Sequence, residues 1–294
     1  MNYVGRFAPS PTGPLHFGSL VAAVASYLDA RSQGGRWHLR IEDIDAPRTV
    51  PGAAESILAT LAALGFAWDG PVEWQSARLP RYAQALATLE ARGAAYRCRC
   101  SRKEVADSGL EGIEGFVYPG TCRGAGIGPG ETAATRVLAG EDVVSFEDRV
   151  QGRISQRIDT EIGDFVVRRR DGLFAYQLAV VVDDGELGVT DVVRGADLLL
   201  STPRQVRLQQ LLGLPTPRYL HVPVATRGGQ KLAKQTLAKA IDAANAGAEL
   251  ARALAFLAQE APPPGSARRI LEIAAGRWDV TRIARARSVE IATA

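Results

Sequence analysis

The stretch Arg6 to Leu20 reads Arg-Phe-Ala-Pro-Ser-Pro-Thr-Gly-Pro-Leu-His-Phe-Gly-Ser-Leu, and it decides the fold. The overlapping segment Tyr3 to Phe7 predicts a short strand, and three prolines stiffen the loop that follows. We expect a helix to open at His16, since an apolar, alanine-rich run continues from there to Ser32. A strand, a tight loop and a helix N-terminus bring unpaired N–H groups and the positive end of a helix dipole together, and phosphate suits such a point. An ordinary corner with a surface histidine is the alternative.

The composition indicates a globular protein. Of the 294 residues, 46% are hydrophobic and 23% are charged, and no apolar run is long enough to cross a bilayer. The three cysteines are an odd number, which argues against a disulfide framework and fits a reducing cytoplasm. We predict a cytoplasmic protein without a secretory signal or a membrane segment, and we expect a monomer. The net charge of +3 does not by itself indicate a nucleic-acid partner, and the arginines near the C-terminus fit either a solvated helical face or a nucleic-acid backbone contact.

Strand and helix signals alternate along the first part of the chain, which is typical of a parallel sheet covered by helices. The alternation breaks in a glycine-rich segment and in a run of short β-like pieces, with a hairpin predicted at Arg170 to Gly172. It resumes with a strand at Gly188 to Val193 and a helix at Ser201 to Leu212. The predicted class is therefore α/β, with a Rossmann-like parallel sheet split by an inserted lobe and followed by a short helical tail. The predicted bounds are residues 1–97 and 186–240 for the two halves of the main domain, 98–185 for the insert and 241–294 for the tail.

Two lysines, Lys231 and Lys234, follow the glycine pair Gly228 and Gly229 in a loop. A flexible lysine carries a compact positive charge that can follow phosphate groups through a reaction. A solvated basic loop is the alternative for a lysine pair taken alone. The phosphate role is favoured here because the histidine-containing helix start precedes this loop in the chain.

These two elements together resemble the two signatures of the class I aminoacyl-tRNA synthetases. His-Phe-Gly-Ser at His16 to Ser19 corresponds to their His-Ile-Gly-His element, and Lys-Leu-Ala-Lys-Gln at Lys231 to Gln235 corresponds to their Lys-Met-Ser-Lys-Ser loop. Ser19, Ala233 and Gln235 depart from those patterns, which removes a histidine and two hydroxyls that could contact phosphate. Four further blocks narrow the resemblance, over residues 3–240, to the glutamyl and glutaminyl branch. They are Arg6–Gly13, Ile41–Asp43, Asp191–Asp197 and Ser201–Gln205.

The length of the chain adds to the resemblance. Residues 235–294 are too few for the anticodon-binding region that longer enzymes of this branch carry after the lysine loop, so we expect no such domain. The chain is thus similar to the shortened paralogues of the branch, the glutamyl-queuosine tRNA(Asp) synthetases. This resemblance implies that L-glutamate is activated with ATP and Mg²⁺ without a need for tRNA. It further implies transfer of the glutamate to the queuosine base in the anticodon of tRNA(Asp), which is then the macromolecular partner.

The resemblance also implies a glutamate site. Arg6 and Arg194 would pair with carboxylates, since a guanidinium fork matches a carboxylate with two contacts. Glu42 would hold the ammonium group, although Arg6 and Glu42 could instead form a structural ion pair with each other. Ser10 and Tyr176 would add hydroxyl contacts, although Tyr176 could also be an ordinary half-buried core residue. The complete set of predicted glutamate-binding residues is Arg6, Ala8, Ser10, Glu42, Tyr176 and Arg194.

An ATP site is implied by the same motifs. The reaction is an in-line attack of the glutamate α-carboxylate on the α-phosphorus of ATP, which releases pyrophosphate. His16 and the helix start would contact the phosphates, while Lys234 would follow the developing charge. The predicted catalytic residues are His16, Lys231 and Lys234, and the predicted ATP-binding residues are His16, Gly18, Ser19 and Lys234.

All three cysteines, Cys98, Cys100 and Cys122, fall in one segment of the chain. Three thiolates leave a tetrahedral zinc ion one ligand short, and no histidine lies in this segment. Separate buried thiols are the alternative, but they would not explain a cluster in a glycine-rich region. The resemblance implies one structural zinc ion held by the three cysteines and Tyr118.

Three other functions are compatible with the sequence. One is a compact synthetase that charges tRNA(Glu) at its terminal adenosine, and another is a catalytically silent tRNA-binding paralogue. The third is a small-molecule adenylyltransferase, which would leave Arg6, Glu42 and Arg194 without a role. His38 and His221 stand outside any motif and are expected to be structural.

Overall fold

Three parallel strands form the first half of the main sheet. In the computed structural model, which describes residues 3–228, 230–231 and 240–291, these strands are β1 (Val4–Phe7), β2 (Arg36–Ile41) and β3 (Glu73–Trp74). Helices α1 (Phe17–Ser32) and α2 (Ala53–Ala63) connect them, and α3 (Leu79–Ala91) follows β3. Helix α1 packs on β1 and β2 through a run that is free of charged residues before Asp29. The predicted strand, loop and helix start are confirmed, since His16 is the N-terminal cap of α1.

The middle of the chain forms smaller sheets. In chain order it contains β4 (Ala95–Cys98), α4 (Arg102–Ala106), β5 (Glu111–Gly112), β6 (Gly115–Phe116), β7 (Ala134–Val137), β8 (Val143–Asp148), β9 (Gly152–Arg157), α5 (Ile158–Glu161) and β10 (Phe165–Arg168). An antiparallel sheet has the order β10-β7-β4, while β5 with β6 and β8 with β9 form antiparallel pairs. Beyond β10 the chain turns, so that Arg168 lies opposite Phe174 where the sequence predicts a hairpin.

The second half of the main sheet follows. Helix α6 (Tyr176–Glu186) leads to β11 (Asp191–Gly195), α7 (Thr202–Leu212) and β12 (Arg218–Val222). Strand β12 runs parallel to β11 and also to β8, which therefore joins this sheet from the predicted insert. The two halves meet where the Thr190 N–H donates to the Val4 carbonyl over 2.9 Å. The α/β class with a parallel sheet is confirmed, and the site described below lies near the carboxyl ends of β1 and β11.

The last part of the chain packs against α1. It contains β13 (Val224–Arg227), β14 (Gln230–Lys231), α8 (Ala246–Phe256), α9 (Ala267–Gly276) and β15 (Ser288–Glu290). Trp278 Nε1 donates to Asp29 Oδ1 over 2.9 Å, which ties the segment after α9 to α1. The predicted helices are present, but the prediction of a helical tail is wrong at β15, a strand that runs parallel to β13. The sequence pattern could not show this, because β15 is short and forms only by pairing with a distant strand.

Two apolar clusters cover the main sheet. The neighbouring residues Val192 and Val193 of β11 belong to different clusters, as do Tyr219 and Leu220 of β12. Since successive side chains of a strand point to opposite faces, the sheet separates the two clusters and is buried on both sides. Among the helices of the described residues, none combines the length and the apolar character that crossing a bilayer requires.

Candidate active site

Arg6 is buried near the end of β1 and is held by α6. Its Nε lies 3.3 Å from both carboxylate oxygens of Asp184, and its Nη1 donates to the Val193 carbonyl over 3.4 Å. Burial alone would raise the pKa of Asp184, but Arg6 and a second arginine, Arg40, outweigh it and hold that pKa below its ordinary value. Asp184 is therefore an anion that fixes the orientation of the Arg6 guanidinium.

Arg40 of β2 is a fully buried cation that the sequence analysis missed. Its Nη1 lies 2.7 Å from Asp184 Oδ1, and its Nη2 lies 3.2 Å from Glu42 Oε1. Burial raises the pKa of Glu42, and the cations Arg40 and Arg6 oppose this only in part. Glu42 is thus paired with Arg40 and Arg6 with Asp184, rather than Arg6 with Glu42.

Arg194 of β11 is the second predicted carboxylate partner, and it is only 5% exposed. Its Nε donates to His221 Nε2 over 3.0 Å, and its Nη1 donates to the Tyr176 hydroxyl over 3.3 Å. Its Nη2 donates to Thr202 Oγ1 over 2.9 Å and to Gln205 Oε1 over 2.8 Å. These four acceptors are all uncharged, provided that the imidazole is neutral.

The His221 imidazole is indeed neutral and buried. Burial lowers the pKa of His221 to about 4, although the hydrogen bond with Asp148 acts in the opposite direction. The Nδ1 atom lies 2.6 Å from Asp148 Oδ2. Arg194 can only donate, so His221 Nε2 must accept and the ring proton must sit on Nδ1. Arg194 is therefore a buried positive charge bonded to neutral side chains, an arrangement that attracts a carboxylate.

A cavity of about 200 Å³ is lined by Glu42, Ser10 and Tyr176, three of the predicted glutamate-binding residues. Burial raises the pKa of Tyr176, so its phenol keeps its proton and can accept the hydrogen bond from Arg194. Ala8 is half-buried in the loop that also supplies Ser10. Three of the predicted glutamate-binding residues thus line this cavity, and Arg194 reaches it through the Tyr176 hydroxyl.

His16 caps the first turn of α1. The Ser19 N–H donates to His16 Nδ1 over 3.3 Å, and the Ser19 hydroxyl lies 3.0 Å from His16 Nε2. Ser19, where the sequence departs from the family signature, therefore orients the neighbouring imidazole. Gly18 lies in the same turn and is only partly buried. The helix N-terminus predicted for phosphate contact is present, and a helix start of this kind attracts anions.

The chain re-enters its described part beside this helix start after the lysine loop. Lys231 belongs to β14, which pairs with β13 through its backbone. Lys234 falls within residues 232–239, which lie outside the described residues. After them, Ala240 forms an antiparallel bridge with His16, so the end of the loop adjoins the other signature. The roles of both lysine side chains stay predictions.

The cysteines and Tyr118 form one cluster. Cys98 Sγ and Cys100 Sγ lie 3.3 Å and 3.7 Å from the Tyr118 hydroxyl, and Cys100 Sγ lies 3.5 Å from Cys122 Sγ. The three sulfur atoms are all within 4.8 Å of one another. A tetrahedral zinc ion with bonds of about 2.3 Å to sulfur separates its ligand sulfurs by about 3.8 Å, so the cluster has suitable dimensions. Arg136 Nε lies 3.3 Å from Cys98 Sγ, and such a cation favours thiolates. The cysteines can therefore hold a metal ion.

The acidic pair Asp183 and Asp184 escaped the sequence analysis, although it connects both halves of the sheet. Asp183 accepts from Arg78 Nε over 2.6 Å and from the Tyr82 hydroxyl over 2.9 Å. A signal was available, since the two acids directly follow the apolar run Leu178–Val182. Carboxylates on a buried helix need cationic partners, but the sequence does not say which ones.

The fold is that of the glutamyl-tRNA synthetases. The crystal structure of glutamate-tRNA synthetase from Elizabethkingia anophelis matches with a TM-score of 0.82 at 24% identity, over 99% of this chain and 68% of that one. A glutamate tRNA ligase from Elizabethkingia meningosepticum, in complex with its amino acid, gives a TM-score of 0.81 at 24% identity, over 99% and 67% of the two chains. At this identity the similarity establishes the fold.

The sequence itself assigns the family. Residues 3–257 match the model of the tRNA synthetases class I (E and Q), catalytic domain. The glutamyl-Q tRNA(Asp) synthetase of Dechloromonas aromatica (strain RCB) is 59% identical over 88% of this chain and 87% of its own. That of Aromatoleum aromaticum is 56% identical over 95% of this chain and 88% of its own. The resemblance found in the motifs is confirmed, and the chain belongs to the class I tRNA synthetases of the glutamyl and glutaminyl type and, among these, to the glutamyl-Q tRNA(Asp) synthetase family.

Proposed function

We propose that this chain activates L-glutamate with ATP and then transfers the glutamate to the queuosine base in the anticodon of tRNA(Asp). The observation that carries the glutamate part is Arg194, a buried cation whose side-chain partners are uncharged. A second buried arginine and the carboxylate of Glu42 lie near the same edge of the sheet. The name of the relatives, glutamyl-Q tRNA(Asp) synthetase, supports the choice of acceptor.

The site suits a ligand with two carboxylates and one ammonium group. Arg194 and Arg6 pair with the carboxylates, because an anion beside a buried guanidinium balances its charge and fits its planar fork. Glu42 receives the ammonium group, and the added positive charge favours the ionised form of a carboxyl whose pKa burial has raised. Ser10 and Tyr176 contribute hydroxyls, and Ala8 contributes backbone.

Activation is a phosphoryl-type displacement in which the protein positions the reactants. A glutamate carboxylate oxygen attacks the α-phosphorus of ATP, the new P–O bond gives glutamyl-adenylate, and pyrophosphate leaves as its Mg²⁺ complex. His16, Gly18 and Ser19 at the start of α1 receive the phosphates of ATP, since the helix N-terminus favours negative charge. Lys231 and Lys234 supply positive charge to the transition state.

Transfer then forms an ester. A hydroxyl of the queuosine cyclopentenediol attacks the carbonyl carbon of the adenylate, its proton passes to solvent or to the departing phosphate, and AMP leaves. This step needs no further energy source, because the adenylate already carries the free energy of ATP cleavage. The same chemistry on the terminal adenosine of tRNA(Glu) is the competing outcome.

Labelled glutamate distinguishes the acceptors. We expect label on tRNA(Asp) that contains queuosine, and none on unmodified tRNA(Asp) or on tRNA(Glu). Label on tRNA(Glu) would contradict the proposal and support a compact synthetase that charges the terminal adenosine. Glutamate-dependent ATP–pyrophosphate exchange without tRNA tests the first step separately, and its absence would indicate a catalytically silent paralogue.

The lysine loop is tested by a matched pair of variants. Lys234→Ala should slow pyrophosphate exchange by about a hundredfold with little change in the glutamate KM, because a charged transition-state contact is worth about 3 kcal/mol. Lys239→Ala alters a nearby lysine outside the motif and should have little effect. Equal losses in the two variants would contradict the assignment of Lys234.

One structural zinc ion is part of the proposal, held by Cys98, Cys100, Cys122 and Tyr118. The metal would fix the insert, while the nucleotide site lies elsewhere. Metal analysis of the purified protein should give one zinc ion per chain. Tyr118→Phe should weaken zinc retention, whereas Tyr96→Phe, which removes a hydroxyl bonded to Asp164 in the same region, should not. Zinc retention that is equal in the two variants would remove Tyr118 from the ligand set.

The organisation of the chain completes the proposal. Residues 1–97 and 186–240 form the two halves of the catalytic domain, 98–185 the zinc-holding insert and 241–294 the tail; from the insert, β8 adds to the main sheet and α6 adds to the site. The protein acts as a monomer in the cytoplasm. Gel filtration with light scattering checks the first of these statements, and cell fractionation checks the second.

A further inference from the structure

Asp148 and His221 lie directly behind Arg194, although neither belongs to the predicted glutamate site. Arg194 is on β11, His221 on β12 and Asp148 at the end of β8, and these strands are neighbours in the order β11-β12-β8. The side chains of Asp148 and His221 are both fully buried. Three adjacent strands therefore place a carboxylate, an imidazole and a guanidinium in one line across the sheet.

The two oxygens of Asp148 have different partners. Oδ1 lies 3.0 Å from the Val150 backbone nitrogen, 2.8 Å from that of Gln151 and 3.2 Å from that of His221, and it accepts from all three. Oδ2 lies 2.6 Å from His221 Nδ1. Because three backbone N–H groups fix Oδ1, the orientation of the carboxylate does not depend on the imidazole. Oδ2 is thereby left to face the ring.

Arg194 determines which ring nitrogen of His221 carries the proton. The guanidinium is always a donor, so His221 Nε2 carries no proton and accepts from Arg194 Nε over 3.0 Å. The single ring proton is then on Nδ1 and is donated to Asp148. A protonated imidazole would set two N–H donors and two positive charges against each other, so this ring has to be neutral.

We propose that Asp148 and His221 are positioning residues for substrate recognition: Asp148 fixes His221 in the Nδ1–H form, and Nε2 then holds the Arg194 guanidinium in place for a substrate carboxylate. The inference rests on the proposed function, because it takes Arg194 as the partner of the glutamate carboxylate. It adds a reason why the anion and the cation are separated by a ring. A carboxylate bonded directly to Arg194 would neutralise the charge that the substrate needs, whereas the neutral ring of His221 leaves that charge in place.

Asp148→Asn tests whether the ring proton of His221 has to be on Nδ1. The amide oxygen should keep the three backbone donors, so the NH₂ group faces His221 Nδ1 and forces the ring proton onto Nε2. Two donors then meet between His221 and Arg194. We expect the glutamate KM in pyrophosphate exchange to rise about tenfold to a hundredfold, with the ATP KM unchanged.

Two substitutions of His221 separate its two contacts. In His221→Gln the amide oxygen can occupy the position of Nε2 and still accept from Arg194. In His221→Asn the shorter amide reaches Asp148 but not Arg194. We therefore expect a larger rise in the glutamate KM for His221→Asn than for His221→Gln. His38→Asn makes the same change at a half-buried histidine outside this line and should leave both KM values unchanged.

Nitrogen-15 NMR of the histidine rings gives a readout that needs no activity. The chain has three histidines, so His221 is assigned by its disappearance in His221→Gln. We expect an Nδ1–H ring in the unsubstituted protein and an Nε2–H ring in Asp148→Asn. An Nε2–H ring in the unsubstituted protein, or equal glutamate KM values for the two His221 variants, would overturn the inference. Absence of glutamate-dependent exchange in the unsubstituted protein would instead overturn the proposed function.

Discussion

Arg6 and Arg194 are both buried arginines, near the carboxyl ends of β1 and β11, but their surroundings differ. Arg6 faces the carboxylate of Asp184, which it shares with Arg40. Arg194 contacts an imidazole, two hydroxyls and an amide, and its nearest anion along that line, Asp148, acts only through His221. Arg6 thus shares one protein carboxylate with a second arginine, while Arg194 has only uncharged side-chain hydrogen-bond partners and depends on a ligand for its counter-charge.

This difference gives the two arginines different roles within one site: Arg6 contributes to stability as well as to binding, and Arg194 contributes mainly to glutamate recognition. A buried ion pair fixes geometry but is costly to disrupt, because removal of one member leaves an uncompensated charge. A buried cation with neutral partners is already an uncompensated charge in the folded protein, and a bound carboxylate supplies the missing counter-charge. Changes on the Arg6 side should therefore affect stability and binding together, whereas changes on the Arg194 side should act mainly on glutamate binding.

Asp184→Asn should have the largest effect. It removes the anion that Arg6 and Arg40 share, and breaking such a buried pair lowers the free energy of unfolding by about 3–5 kcal/mol. Urea denaturation measures this loss, and exchange kinetics should show a raised glutamate KM. Asp164→Asn, at a buried carboxylate of the insert that binds Arg123, should also destabilise the protein but leave the glutamate KM unchanged. Normal stability of Asp184→Asn would contradict the role assigned to the pair.

Arg194→Lys comes next and should act on binding. Lysine keeps the charge but cannot reach His221, Tyr176 and Gln205 together, so glutamate-dependent exchange should fall by about a hundredfold to a thousandfold. The loss of unfolding free energy should be smaller than in Asp184→Asn. Arg6→Lys is the matched variant on the Arg6 side, and we expect a smaller loss of exchange there. A greater loss in Arg6→Lys would reverse the comparison.

The two sides should also respond differently to pH. The pKa of His221 is about 4 in the folded protein and 6.5 for an ordinary histidine, so the unfolded chain binds more protons between these values. The stability that neutral His221 contributes is complete above pH 6.5 and is lost as the pH falls toward 4. Asp184, whose pKa is lowered, contributes stability that is lost only at pH values below this window.

We expect the unsubstituted protein to lose about 2 kcal/mol more unfolding free energy than His221→Asn between about pH 7 and pH 5. Urea denaturation of both proteins at both pH values measures the difference. His221→Asn is the control, because all other titrating groups are the same in the two proteins. Parallel losses in the two proteins would show that His221 is not the group that titrates in this range.

Tyr176→Phe should have the smallest effect. It removes one acceptor of Arg194 at 3.3 Å, and loss of a hydrogen bond of this kind costs about 1 kcal/mol, or about fivefold in the glutamate KM. Tyr82→Phe is the matched change on the Arg6 side, where the hydroxyl donates to Asp183. It should lower stability without a change in the glutamate KM. If the two variants gave the same KM, Tyr176 would not act on Arg194.

The sequence could single out groups that belong to continuous motifs. Arg6, Glu42 and Arg194 each stand in a short block of the family pattern, and all three are buried. It was insufficient for their partners, since Arg40 and Asp184 are 144 residues apart and Asp148 and His221 are 73 apart. Such pairs depend on the order of the strands in the sheet, which no local spacing encodes.

The same distinction applies to the fold. The alternation of strands and helices predicted the parallel sheet, because each βα unit has its own local pattern. The contribution of β8 to that sheet and the strand β15 had no such pattern. Both depend on an edge supplied by a strand far away in the chain, β12 in one case and β13 in the other.

The place of β15 matters for anyone who joins this chain to another protein. Thr226 Oγ1 of β13 donates to Glu290 Oε2 of β15 over 2.7 Å, so the last described strand is fastened to the strand that leads into the lysine loop. A purification tag or a fused domain at that end of the chain would follow a strand that pairs with β13. An addition before Tyr3 would start at the amino end of β1, away from the sheet edge that carries Arg6 and Arg194, and is the better choice for kinetic work.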